Sequence, residues 1–165
     1  MEEFDYLTAS GVALGVHAVS NPVFPLLESS SKNLIKLYLN DVGLLSAVLF
    51  GTNINAVSGD VRSINLGSLY ETFAAMELSA HKHPLFYYDN RAKGEVDFLI
   101  NDYDNLSVLP IEVKSGRDYQ IHSSISNMTR EDAYGIGRAV VLSSASKVFR
   151  KGNIIYLPVY DLMFL

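Results

Sequence analysis

The chain has 165 residues with a net charge of −5, 48% hydrophobic and 19% charged side chains, and no cysteine. That apolar content suits one packed domain and argues against wholesale disorder, while the absent cysteines exclude disulfides and thiolate metal or redox sites. The acidic start, MEEFDYLTAS, lacks a signal-peptide pattern, and the longest apolar run, Val42 to Phe50, is too short to span a bilayer; a cytoplasmic protein without membrane association is expected.

In chain order, residues 2–10 read as a short helix stopped by Gly11, and VALGVHAVS as a strand. NPVFPLLESSS, with two prolines and a serine run, reads as a loop. NLIKLYLND alternates like a strand. Asp41 is placed to cap the helix Val42 to Phe50, and Gly51 to end it. Residues 51–67 are rich in Gly, Asn and Ser and read as a loop.

From Ser68 to His83 the pattern predicts a helix, with Ser68 as N-cap and Pro84 preventing continuation. Leu69, Phe73, Met76 and Ala80 are expected on its apolar face, beside Tyr70, Ala74 and Leu78. Strands are expected at 85–90, 95–101 and 107–115, joined by short polar turns that suit antiparallel hairpins. A second helix is expected over 120–134, ended by Gly135, then a buried strand at 138–144 and a last strand with a tail from 153. From Ser68 onward the order is α-β-β-β-α-β, which divides the chain into an N-terminal extension (1–60) and a core (61–165).

Two of these strands carry unusual charge. GEVDFLI holds Glu95 and Asp97; LPIEVKSG holds Glu112 and Lys114. Strand alternation puts Glu95, Asp97 and Leu99 on one face, with Val96, Phe98 and Ile100 opposite. If the strands pair, Asp97, Glu112 and Lys114 come within reach of one point. Converging carboxylates need a cation, a shared proton or a lysine. A hard divalent ion such as Mg²⁺ would take Asp97 and Glu112 as oxygen ligands and keep several waters. The same charges also suit a plain ion-pair cluster on a solvated face, in which Lys114 neutralises Glu112 or Asp97.

Together these residues resemble the PD-(D/E)XK nuclease superfamily, whose core has the same element order. GSLYETFAAMEL, EVDFLI and PIEVKSG are more specifically similar to the domain of unknown function 4143, commonly the C-terminal part of bacterial and archaeal AAA-type ATPases. KLYLNDVGLLSAVL and NPVFPL add to the likeness, which runs from about residue 6 to the end. The resemblance implies a restriction-endonuclease-like fold, Asp97 and Glu112 as metal ligands together with the Val113 carbonyl, Lys114 as the catalytic lysine, and Glu71 as the helix glutamate. Glu71 has a second reading: Ser68-x-x-Glu71 is a capping box, with Glu71 turned back onto the Ser68 amide. Glu95, one pleat from Asp97, is a candidate outer partner of the site.

The resemblance further implies Mg²⁺-dependent cleavage of nucleic acid. Its alternative is an inactive module that binds nucleic acid or protein and regulates a partner ATPase. Residues 1–19 look like the end of a winged-helix region, so a longer protein with an N-terminal ATPase is expected. No Gly-Lys pair occurs, so no phosphate-binding loop is present in this chain. Charge supports a nucleic-acid partner locally: residues 1–60 hold two basic and six acidic side chains, whereas 111–151 hold seven and four. This basic part begins at Lys114 and includes Arg117, Arg130, Arg138, Lys147, Arg150 and Lys151, although an ordinary solvated surface has the same composition. His81 and His83 read as cations at a helix end, His17 as a strand residue and His122 as a surface one.

Overall fold

A computed structural model of the chain describes residues 2–53, 55, 65–116 and 123–165. Arg117, His122, the expected start of the second helix and most of the 51–67 loop lie outside the described residues. The protein is a mixed α/β structure built on one eight-stranded sheet among those residues, in the order β2-β1-β3-β4-β5-β6-β8-β7. The strands are β1 (Ala13–Val19), β2 (Ser30–Leu39), β3 (Phe86–Asn90), β4 (Gly94–Asp102), β5 (Ser107–Lys114), β6 (Ala139–Ser143), β7 (Phe149–Lys151) and β8 (Ile154–Pro158). The helices are α1 (Glu2–Ala9), α2 (Val42–Phe50), α3 (Gly67–Ala80) and α4 (Ser123–Arg130).

β1–β3, β5–β6 and β6–β8 pair in parallel; the other neighbours are antiparallel. Parallel pairing explains why AVVL in β6 is apolar throughout: such strands are covered on both faces. The sheet continues across residue 60, because β1 and β2 join it beside β3. β7 was not expected from the sequence; Gly152, with φ +61°, turns it into β8. The tail forms a 3-10 helix, Val159–Phe164, that buries Leu162.

Helices cover both sheet faces. Ala74, Ala75 and Leu78 of α3 pack with Val16, Phe98, Ile100, Ile111, Val113 and Leu142. On the other face Met128 of α4 packs with Val96, Leu99 and Val108, and Ile125 with Val141 and Tyr156. The inward stripe of α3 is Ala74, Ala75 and Leu78, with Leu69 and Thr72, all buried. Phe73 and Met76, expected there, are only half-buried. Two alanines let the helix sit close to the sheet, so the bulky side chains fall to its flank. No helix among the described residues is long and apolar enough to cross a membrane.

The expected alternation along β4 fails at one point. Phe86 pairs with Leu99 but Tyr88 pairs with Val96, so β4 carries one extra residue between these pairs. Such a bulge reverses the sense of the pleat. Val96 therefore shares a cluster with Leu99, and Phe98 with Ile100, instead of Val96, Phe98 and Ile100 lying together. Leu99 is wholly buried rather than aligned with Glu95 on a charged face.

Gly94 starts β4 at φ +90°, and a Cβ there would run into the Ser124 side chain at the start of α4. Side chains rarely adopt that backbone conformation. Gly94→Ala should lower stability by roughly 1–3 kcal/mol in urea denaturation. A loss within experimental error of zero would show that β4 and α4 can shift to accept it.

Candidate functional site

The site forms where β4 and β5 part. Their ladder ends at the pair Phe98 and Ile111. One further step in that register would set Asp97 against Glu112, and like charges directly opposite each other are unfavourable. The ladder is replaced by a side chain: the Val113 N–H donates to Asp97 Oδ2 at 2.7 Å. The Asp97 carboxylate thus occupies the gap between the strands, in the place a strand carbonyl would fill. Val113 had been expected to matter through its carbonyl; its amide makes this contact.

Glu112 and Lys114 follow from alternation along β5. Ile111 and Val113 enter the core under α3, which sends Glu112 and Lys114 to the other side of the strand. Lys114 Nζ lies 2.7 Å from Glu112 Oε1. The Glu112 side chain is only 8% exposed, and its second oxygen, Oε2, is buried and has no hydrogen-bond partner among the described residues. Leaving a buried acceptor unsatisfied costs about 1–3 kcal/mol, and more for a charged group. One carboxylate oxygen is therefore short of a donor or a cation.

Electrostatics ties the four expected residues together. Burial pushes the Asp97 carboxyl up to about 7; the Glu112 and Glu71 charges act the same way, while the Val113 amide and Lys114 oppose them. Burial works against the Lys114 ammonium, but the hydrogen bond to Glu112 and the charges of Glu112, Asp97 and Glu71 outweigh it and raise its pKa. The lysine stays charged, and Asp97 is poised between its two forms near neutrality.

Glu71 does not close a capping box. α3 begins at Gly67 with Leu66 as its N-cap, so Ser68 lies inside the helix and Glu71 one turn in. The entry is shaped instead by Asn65, whose Oδ1 accepts the Gly67 N–H at 2.9 Å. Glu71 precedes Ala74, Ala75 and Leu78 by three, four and seven residues and so shares their stripe toward the sheet. There the Tyr38 hydroxyl donates to Glu71 Oε2 at 3.1 Å. Burial, then the Glu71 charge and hydrogen bond and the Asp97 and Glu95 charges, push the Tyr38 phenol well up, so it remains a donor.

Tyr38, on β2, is the contributor that sequence reasoning missed. Its tilted ring contact with Phe98, 5.5 Å between centroids, anchors it beside the bulge. Alternation of Lys36 and Tyr38 was the available signal. Lys36 pairs with Glu95 and sits 4.5 Å above the Tyr87 ring. Glu95 is therefore held by β2 rather than serving Asp97 as an outer partner.

The remaining candidates disperse. His81 Nδ1 meets the Leu165 carbonyl at 3.0 Å, and burial, then the His81 charge, lowers the His83 pKa, so His83 is a poor helix-end cation. His17 lies on β1 as expected. Arg150 and Lys151 separate: the Arg150 Nε–H donates to the Gly152 carbonyl at 2.8 Å and the side chain lines a cleft with Arg138, whereas Lys151 lines a different one.

Among the described residues no trio of His, Cys, Asp or Glu is set to hold a metal. What exists is a pair, Asp97 and Glu112. An all-oxygen pair with one orphaned oxygen fits a hard cation that retains most of its waters, such as Mg²⁺.

The raised Asp97 pKa has a definite sign in stability. The folded protein keeps this proton to about pH 7, whereas the unfolded chain loses it near 3.8. The contribution of Asp97 thus falls as pH climbs through that window, by up to about 1.4 kcal/mol per pH unit, and levels off above it. Asp97→Asn can still accept the Val113 N–H but has no proton to lose. Urea midpoints at pH 5, 6, 7 and 8 should show the variant gaining on the wild type as pH rises; parallel pH profiles would show that the Asp97 carboxyl is not raised.

No curated protein and no solved structure matches the chain. Residues 66–162, from the entry of α3 through the strands that carry Asp97, Glu112 and Lys114 to the C-terminal 3-10 helix, match the family described as Domain of unknown function (DUF4143), and the chain belongs to that family.

Proposed function

We propose that this protein is a restriction-endonuclease-like, Mg²⁺-dependent phosphodiesterase domain acting on nucleic acid. The observation that carries the reading is the buried Glu112 Oε2, without a partner among the described residues, beside an Asp97 whose pKa is pushed up to about 7. A buried carboxylate and a half-buried one with a shortage of positive charge are what a cation site looks like before the cation arrives. The α-β-β-β-α-β order from α3 to β6 supports the same reading.

Asp97 and Glu112 would hold the ion, which supplies Lewis-acid polarisation of a phosphoryl oxygen and a more acidic water. Asp97 is kept in place by the Val113 N–H, and Glu112 by Lys114. The charged Lys114 offsets negative charge developing on the phosphate. Glu71, tied to Tyr38, adds negative potential at the site and positions that edge of it. The sequence likeness to C-terminal domains of AAA-type ATPases makes such an ATPase the protein partner we propose.

A second reading rests on the 2.7 Å Lys114–Glu112 pair. Here the lysine is itself the counter-cation, and the domain binds nucleic acid or protein without cutting. Calorimetric titration with Mn²⁺ and cleavage assays on DNA and RNA separate the two. As a nuclease, Asp97→Ala and Glu112→Ala lose metal binding and cleavage by a hundredfold or more. Lys114→Ala loses cleavage by a similar factor but retains most of the metal binding. Wild-type protein that binds no divalent ion and cuts neither polymer, alone or with its ATPase, would leave the second reading.

A further inference from the structure

α4 and the β7–β8 hairpin enclose a cleft of about 490 Å³. Ser126, Thr129 and Arg130 line it from the helix, and Lys151, Asn153 and Tyr156 from the hairpin. None of its described lining residues is acidic. Arg130 and Lys151 are exposed and enter no salt bridge among the described residues. The nearest acidic neighbour in sequence, Glu131, is taken up by Lys93 at 2.8 Å. Two cations that converge on one polar cleft without counter-charges repel each other, and an anion between them relieves that repulsion.

The position of the cleft says which anion. Glu112 of β5 is paired in register with Val141 of β6, and Val141 with Tyr156 of β8. Glu112 and Tyr156 are therefore two strands apart in one row of the sheet, roughly 10 Å at the usual strand spacing. Val141 and Tyr156 pack on the α4 side, the side to which Glu112 also alternates. A polynucleotide strand presents its phosphates at a spacing of several ångströms, so one at the β4–β5 gap leaves another near the cleft.

We propose that the cleft between α4 and the β7–β8 hairpin binds a backbone phosphate of the same nucleic-acid strand whose neighbouring phosphodiester lies at Asp97 and Glu112. This rests on the nuclease reading for the shared strand, but the cleft can be tested without cleavage. Arg130 and Lys151 make the contact through charge, so it carries no base preference.

The test uses the whole chain in EDTA and a fluorescently labelled single-stranded oligonucleotide, followed by anisotropy over a salt series. The double variant Arg130→Gln, Lys151→Gln changes two exposed side chains, and its fold is checked by circular dichroism and thermal midpoint. Its Kd should rise about tenfold at low salt, and the slope of log K against log salt should flatten by about 0.7 for the lost contact. Inorganic phosphate at millimolar concentration should compete with the oligonucleotide on the wild type and not on the variant. Equal affinity and equal slope in the two proteins, or no binding by the wild type, would overturn the inference. Binding that depends on Arg130 and Lys151 in a wild type that cannot cut with Mg²⁺ would overturn the nuclease reading and leave the cleft standing as a phosphate site.

Discussion

The hydrogen bond from the Val113 N–H to Asp97 is the contact on which the rest of the site depends. It stops the β4–β5 ladder one pair short of a direct Asp97–Glu112 opposition. A strand amide left there without an acceptor would be a buried unsatisfied donor. The Asp97 carboxyl oxygen satisfies it, and more strongly once the group is ionised. The gap between strands and the bulge in β4 are thus parts of one local solution, which gives a carboxyl group a place inside a largely apolar sheet.

That arrangement has an energetic cost, which the surroundings offset only in part. Asp97 and Glu112 are both taken from water and lie close enough to raise the Asp97 pKa. Lys114 covers one oxygen of Glu112, the Val113 amide covers one oxygen of Asp97, and Glu112 Oε2 has no partner among the described residues. A structure optimised for stability alone would place an apolar pair here, since buried ion pairs are often no better than hydrophobic replacements. Retained strain of this kind concentrates at functional sites.

The site also draws on parts of the chain far apart in sequence. Tyr38 on β2 holds Glu71 on α3, and Lys36 holds Glu95 on β4. These contacts exist because β1 and β2 extend the sheet beside β3, which brings residues 36–38 against the bulge. The two clusters on opposite sheet faces keep β4 and β5 fixed: Phe98 and Ile111 pack under α3, while Val96 and Val108 pack under α4. With both faces clamped, the carboxylates have little freedom to move apart.

Much of this was legible in the amino-acid order. The spacing of Gly, Pro and apolar residues located α1, α2, α3, the β3–β4–β5 hairpins and β6 to within a few residues, because local backbone preference and burial period agree there. Asp41 caps α2 as its position suggests, accepting the Leu44 N–H at 2.9 Å. The charges of Asp97, Glu112 and Lys114 marked the two strands where charge needs a reason. Three things were decided only by the tertiary structure. The bulge in β4 arises from its register with β3, which no alternation rule within β4 contains. The N-cap is Leu66 rather than Ser68, with Asn65 taking the Gly67 N–H, and Glu71 meets the Tyr38 hydroxyl of a distant strand instead of closing a local capping box. Arg150 and Lys151, adjacent in sequence, went to different clefts because pairing with β8 makes β7 a strand, on which successive residues face opposite ways. Local sequence sets which side chains are available and roughly which element carries them. Long-range pairing sets which of them meet, since the partner that satisfies a buried charge lies on whichever strand the sheet places beside it.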